Sequence, residues 1–157
     1  METLYPIGIQ NFEKIRNDGY LYIDKTALMY QMVKTGSYYF LSRPRRFGKS
    51  LLISTLEAYF KEKRTVCRTG CRKVGKDWIK YPILHLDLNI EKYDTSESLD
   101  NILDKSLTAW EKLYGAEPSE RSFSLRFAGI IERACKLAGQ RVVILVDEYD
   151  KPMLKHR

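Results

Sequence analysis

Ser42-Arg43-Pro44-Arg45-Arg46-Phe47-Gly48-Lys49-Ser50-Leu51 is the stretch on which the reading of this chain turns. Its end, Gly48-Lys49-Ser50, matches the close of a phosphate-binding loop, whose usual pattern is Gly, four residues, Gly, Lys, then Ser or Thr. The place of the first glycine holds Arg43. Most of the chemistry resides in the later residues. Backbone N–H groups of Arg46, Phe47, Gly48, Lys49, Ser50 and Leu51 would curl round a β-phosphate at the positive end of the following helix. Gly48 permits close approach, Lys49 bridges the β- and γ-phosphates, and Ser50 ligates Mg²⁺. Pro44 has no N–H, but it sits early, where few phosphate contacts fall. The bland alternative is a basic turn before an amphipathic helix.

The flanks place this loop between a strand and a helix. Tyr38-Tyr39-Phe40-Leu41 is a short apolar run of the kind expected for a buried strand. After the loop, Leu51, Leu52, Thr55, Leu56, Tyr59 and Phe60 recur at helical spacing. Further on, Pro82-Ile83-Leu84-His85-Leu86-Asp87 alternates and predicts a strand. Leu99, Ile102, Leu103, Leu107, Trp110, Leu113 and Tyr114 predict a helix stopped by Gly115 and Pro118. Ser119 is placed to cap a second helix carrying Phe123, Phe127, Ile130, Ile131, Ala134 and Leu137, ending near Gly139. Val142 to Val146 is five aliphatic residues in a row, the pattern of a strand buried on both faces. Strands alternating with helices predict a parallel α/β sheet. Before the loop, Tyr20-Leu21-Tyr22-Ile23 could be a short strand. Asp24 can cap a helix from Lys25 to about Thr35, with Leu28, Met29, Met32 and Val33 on one face and Gly36 at its end.

Asp147 closes the aliphatic run, at the carboxyl edge of its strand, where ligands bind in open α/β sheets. An aspartate there supports the magnesium shell, and the adjacent Glu148 can polarise an attacking water as general base. The alternative is an acidic turn after a buried strand. His85, beside Asp87, reads as structural, and His156 as a terminal, solvated residue. Among eleven tyrosines and six phenylalanines, most fall on the apolar stripes; Tyr5, Tyr20, Tyr22 and Phe12 are candidates to flank an adenine ring.

A chain of 157 residues with 44% apolar and 30% charged residues can bury one globular core. It contains no apolar run of membrane-spanning length. Its N-terminus lacks the basic-then-apolar order of a secretory signal, so the expected compartment is the cytoplasm. The three cysteines, Cys67, Cys71 and Cys135, read as reduced thiols. The net charge of +7 is uneven. Segment 61–80 has eight bases against two acids, and segment 91–120 has eight acids against three bases. A basic patch of that kind can contact DNA.

Taken together, these residues resemble the predicted AAA-ATPase-like proteins of bacteria. Four separate stretches carry the likeness: Pro6 to Phe12 with Gly19 to Thr26, Leu41 to Leu52, Trp78 to Asp87, and Val143 to Pro152. That family's loop also begins with Arg-Pro-Arg-Arg-Phe in place of a glycine. The resemblance implies a three-layer α/β P-loop NTPase of the additional-strand class, with a mostly parallel sheet, interrupted here after the Walker B strand. It divides the chain into an N-terminal extension, 1–37, and a P-loop core, 38–157. It implies ATP and Mg²⁺ as cofactors, Lys49 and Glu148 as catalytic residues, and Ser50 and Asp147 as metal ligands. Magnesium-dependent hydrolysis is expected of full-length members. This chain, which lacks later strands, a polar sensor and an evident arginine finger, is expected to bind ATP weakly and turn it over slowly or not at all. A finger could come from a neighbouring subunit, which would make an oligomer. Many relatives carry a nuclease-related C-terminal region. The competing reading is a nucleic-acid-interaction module, through segment 61–80, in which the nucleotide site is regulatory or inactive. A small-molecule kinase fits less well, because the Asp147-Glu148 pair favours water activation.

Overall fold

Helix boundaries in this chain follow short polar caps and left-handed glycines. The computed structural model describes residues 4–42, 44, 47–61, 80–89 and 97–151. Arg43, Arg45 and Arg46 of the loop, Cys67 and Cys71, nearly all of the basic segment and His156 lie outside them. The described residues form five helices and two strands: α1 (Phe12–Asn17), α2 (Thr26–Thr35), α3 (Lys49–Phe60), β1 (Ile83–Asp87), α4 (Glu97–Tyr114), α5 (Phe123–Ala138) and β2 (Val143–Asp147). The chain divides into two compact units, Met1–Lys80 and Tyr81–Arg157.

In the first unit, Asn11 begins α1 by accepting the Lys14 N–H on its side chain at 2.9 Å. This short helix was not foreseen from the periodicity. Its Phe12 is fully buried and packs with Ala58 of α3, and Tyr22, Leu51 and Tyr59 close round the pair. Phe12 and Tyr22 meet edge to face, 5.0 Å between ring centres. The Phe12 N–H also donates to Ser54 Oγ at 2.8 Å. Phe12 is therefore a core residue and not an adenine-flanking one. The N-cap of α2 is Lys25, which makes no side-chain cap bond, so the helix starts one residue later than an Asp24 cap would place it. Asp24 sits in the turn before it, its Oδ1 accepting the Thr26 N–H at 2.9 Å and the Thr26 hydroxyl at 2.6 Å. Met29 is buried, Met32 and Val33 are half-buried, and Leu28 is exposed, so the apolar face is narrower than the spacing suggested.

Two expected strands of this unit do not form. Tyr20 to Ile23 has one backbone bond outside its own turn, from the Leu21 N–H to the Leu4 carbonyl at 2.8 Å, and no ladder. Tyr38 to Leu41 is irregular, with Tyr38 97% and Phe40 73% exposed. A strand exists only where a neighbour pairs with it, and apolar composition alone does not supply that neighbour.

The second unit holds the sheet. β1 and β2 pair in parallel, with Ile83 opposite Val143 and Asp87 opposite Asp147. The connection between them is the helical pair α4 and α5. Leu84, Leu107 and Ile130, one from β1 and one from each helix, form its buried centre, surrounded by Trp110, Tyr114, Phe127, Ile131 and Val142. Burying such side chains stabilises by about 1.5–3 kcal/mol each. Among the described residues the sheet has two strands; the α/β class and parallel pairing agree with the expectation.

Two details correct it. Ser122, not Ser119, caps α5: its hydroxyl accepts the Leu125 N–H at 3.3 Å. Ser119 instead belongs to the preceding turn, closed by the Glu120 N–H on the Glu117 carbonyl. In β2, Ile144 is 45% and Val146 39% exposed, while Leu145 and Asp147 are buried. The aliphatic run is thus covered on one face only among the described residues, because side chains alternate across a strand and a two-stranded sheet offers little cover. Gly139 ends α5 in the left-handed region, as its position predicted.

Candidate functional site

The phosphate-loop candidate sits where the chain enters α3. Gly48 has φ 74° and ψ 26°, a conformation that disfavours a side chain. Its carbonyl accepts the Leu52 N–H at 3.0 Å, the first bond of the helix. Gly48, the N-cap residue, has no side chain to cap this N-terminus. Lys49, Ser50 and Leu51 occupy the first turn and are half-buried, whereas Phe47 and Gly48 are exposed. Twelve residues of helix bring a positive end to the amides of that turn. The helix is anchored on its other side by Phe12, Ala58 and the Ser54 bond. Pro44 accepts the Phe47 N–H at 3.4 Å.

The acidic candidate sits at the carboxyl end of β2. Asp147 is 8% exposed, and its Oδ1 accepts the N–H of Glu148 at 2.9 Å. Its Oδ2 receives no hydrogen bond among the described residues. Glu148 has φ 54°, the one non-glycine residue at positive φ among those described. Such backbone costs about 1–3 kcal/mol and gathers at sites where direction of a side chain matters. The Lys151 N–H donates to the Glu148 carbonyl at 3.0 Å and closes the turn. Oxygen donors of the carboxylate and hydroxyl type, as Asp147 and Ser50 offer, suit a hard divalent cation. The two candidates belong to different compact units.

Residues 6–157 match the predicted AAA-ATPase family. The chain belongs to that family. It is also similar to a protein of Azotobacter chroococcum mcd 1 described as an uncharacterized protein in the vnfD 5′ region. The two are 40% identical over 151 residues, which is 95% of this chain and 29% of that relative. The chain therefore spans less than a third of the length of the curated relative it matches. No solved structure matches.

Within this AAA-ATPase-like chain, the structure adds residues that sequence reading passed over. Asp87, treated there only as a neighbour of His85, is the register partner of Asp147. Asn89 and Lys151 link the turns beyond the two strands: the Lys151 ammonium donates to Asn89 Oδ1. The signal was available, since both strands end the same way, Leu-His-Leu-Asp and Ile-Leu-Val-Asp. His85 sits two residues before Asp87 on β1. It lines a cavity of about 200 Å³ with Ile102, Lys105, Ser106, Ala109 and Trp110 of α4.

The acidic segment also finds its use in helix pairing. Arg126 of α5 grips Glu111 of α4 through Nε at 2.6 Å and Nη2 at 2.9 Å, and reaches Asp104 at 2.5 Å and Thr108 at 3.1 Å. Arg133 holds Glu120 by two bonds of 2.6 and 2.9 Å. The Arg126 hydrogen bonds hold the Glu111 carboxyl below its usual range, and the Arg133 bonds do the same for Glu120. These pairs fasten the connection that carries β1 to β2. Among the described residues, no helix is long and apolar enough to cross a membrane.

Proposed function

We propose that this chain is a nucleotide-binding AAA-ATPase-like domain that takes ATP together with Mg²⁺. The observation that carries the reading is the entry to α3: a left-handed glycine at the N-cap followed at once by Lys49 and Ser50 in the first turn of the helix. An anion placed there meets backbone N–H groups, the helix dipole and a lysine ammonium together. Arg46, Phe47, Gly48, Lys49, Ser50 and Leu51 would line the phosphates. Ser50 and Asp147 would hold the metal, which, when bound, neutralises charge on the phosphate oxygens. Glu148, held at φ 54°, would accept the proton of a water directed at the γ-phosphate. Lys49 would stabilise the charge shared by the β- and γ-phosphates. The 1–37 extension then has a structural part, since α1 backs the helix that carries the loop.

Hydrolysis itself is proposed for the longer proteins of the family. The DNA reading rests on segment 61–80, outside the described residues apart from its ends, and no contact favours it.

The test is binding of a fluorescent ATP analogue to Lys49→Ala. Loss of a charge-assisted hydrogen bond of about 1.5–3 kcal/mol weakens binding by about tenfold to a hundredfold. Binding equal to that of the unaltered chain would show that the loop is only a basic turn.

A further inference from the structure

We infer that the cavity between β1 and α4 is a binding site for a small monocarboxylate whose apolar body is about the size of one aromatic ring. The cavity lies within the second compact unit, and its role does not depend on the nucleotide reading above.

The lining follows from the pattern of α4. Ile102, Lys105, Ser106, Ala109 and Trp110 recur at three and four residues, so they share one stripe of the helix. His85 of β1 completes the wall, beside Leu84 of the unit's core. The volume is about 200 Å³. An apolar cavity of about 150 Å³ is enough to take a benzene ring, so this one has room for such a ring with one small substituent. Drug-sized ligands need about 300 Å³ or more and are too large for it.

The walls divide by chemistry. Ile102 is 1% exposed, and Trp110 is half-buried, set against Phe127 with ring centres 6.0 Å apart. With Ala109 they form the apolar side. The polar side chains are His85, Lys105 and Ser106. The Ser106 hydroxyl donates to the Ile102 carbonyl at 2.8 Å, so its hydrogen is already used within the helix. Lys105 is exposed at the rim and makes no ion pair among the described residues, whereas Arg126 and Arg133 of α5 are held by carboxylates. His85 has contacts of its own; its Nε2 atom is closed to solvent and meets no hydrogen-bonding atom of the protein.

A carboxylate suits this arrangement. One oxygen would accept from the Lys105 ammonium and the other from the His85 Nε2–H, the tautomer that an anionic acceptor selects. A ligand cation would be repelled by Lys105, and a neutral molecule would forgo the charge-assisted bonds. The ring would lie on Ile102, Ala109 and Trp110, where apolar contact supplies the remaining affinity.

The experiment titrates the full chain with sodium benzoate and, separately, with the neutral benzamide, following the Trp110 indole N–H and the backbone amides by ¹⁵N NMR. Benzoate should give saturable shifts centred on β1 and α4, with a dissociation constant on the order of a millimolar. Benzamide should bind about tenfold or more weakly. Lys105→Met keeps the stem and removes the charge; it should weaken benzoate to the level of benzamide and leave benzamide unchanged. Ala109→Phe puts a ring into the cavity and should abolish binding of both. Both positions are exposed, and an unchanged amide spectrum outside α4 checks the fold of each variant; should Ala109→Phe alter it, Ala109→Leu is read in the same way. Absence of saturable shifts at about ten times the expected dissociation constant overturns the inference. So do shifts centred outside β1 and α4, or full benzoate binding by Ala109→Phe. Equal affinity for benzoate and benzamide, or benzoate binding unchanged in Lys105→Met, overturns the carboxylate assignment.

Discussion

The two candidate motifs, one in each compact unit, are built in different ways. The phosphate motif is local: Gly48, Lys49 and Ser50 are consecutive, and one helix start positions all three. The acidic motif is assembled from strand ends sixty residues apart in sequence, brought level by the β1–β2 register. The first depends on one backbone conformation and the helix behind it. The second depends on a pairing that only α4 and α5, packed on Leu84, make possible. A motif of the first kind survives in sequence as a string. A pair of the second kind, such as Asp87 with Asp147, leaves two separate aspartates that nothing in the string connects.

Substitutions beneath each motif give the largest expected effects. Phe12→Ala removes the ring that packs α1 on α3 and should cost about 3–5 kcal/mol in urea unfolding; Leu84→Ala, beneath the strands, should cost about 2–5 kcal/mol. If Leu84→Ala behaved like a surface change, below about 0.5 kcal/mol, the acidic motif would not depend on the sheet core and the contrast would collapse.

A smaller effect of opposite sign concerns Glu148. Its φ of 54° suits glycine. Glu148→Gly should raise the thermal midpoint by an amount equivalent to about 1 kcal/mol relative to Glu148→Ala. Equal midpoints for the two variants would mean that the turn carries no strain, and that the acidic motif is no more constrained than an ordinary loop.

The smallest effect probes the helical connection. Arg126 depresses the Glu111 carboxyl, so the pair stabilises the fold above the unfolded value of about 4.3 and ceases to do so as pH falls through the lower, folded value. Glu111→Gln should cost up to about 1 kcal/mol at pH 7. The difference from the unaltered chain should shrink as pH drops below about 4. A difference that stayed constant down to pH 3 would assign the loss to packing and not to charge.

Much of the helical pattern was legible. The α3, α4 and α5 stripes and the Gly139 terminus follow from spacing and cap chemistry, which act within a few residues. The failures share one cause. Tyr38 to Leu41 and Tyr20 to Ile23 have strand-like composition but no partner strand among the described residues, and β2 reads as doubly buried yet leaves Ile144 and Val146 exposed. Phe12, eligible by chemistry for an aromatic ligand contact, is instead buried against Ala58, with Tyr22, Leu51 and Tyr59 packed round it.

The sequence alone determined the kind of chemistry to look for: Gly48, Lys49 and Ser50 at a helix start, and Asp147 with Glu148 after an aliphatic strand. Those features are contiguous, and local backbone preferences suffice to place them. Tertiary structure decided which strands exist, which aromatic residues are core, and that Asp87 stands beside Asp147. Each of those depends on contacts between distant segments, and whether such segments meet is settled by packing and hydrogen-bond pairing, not by the composition of either one.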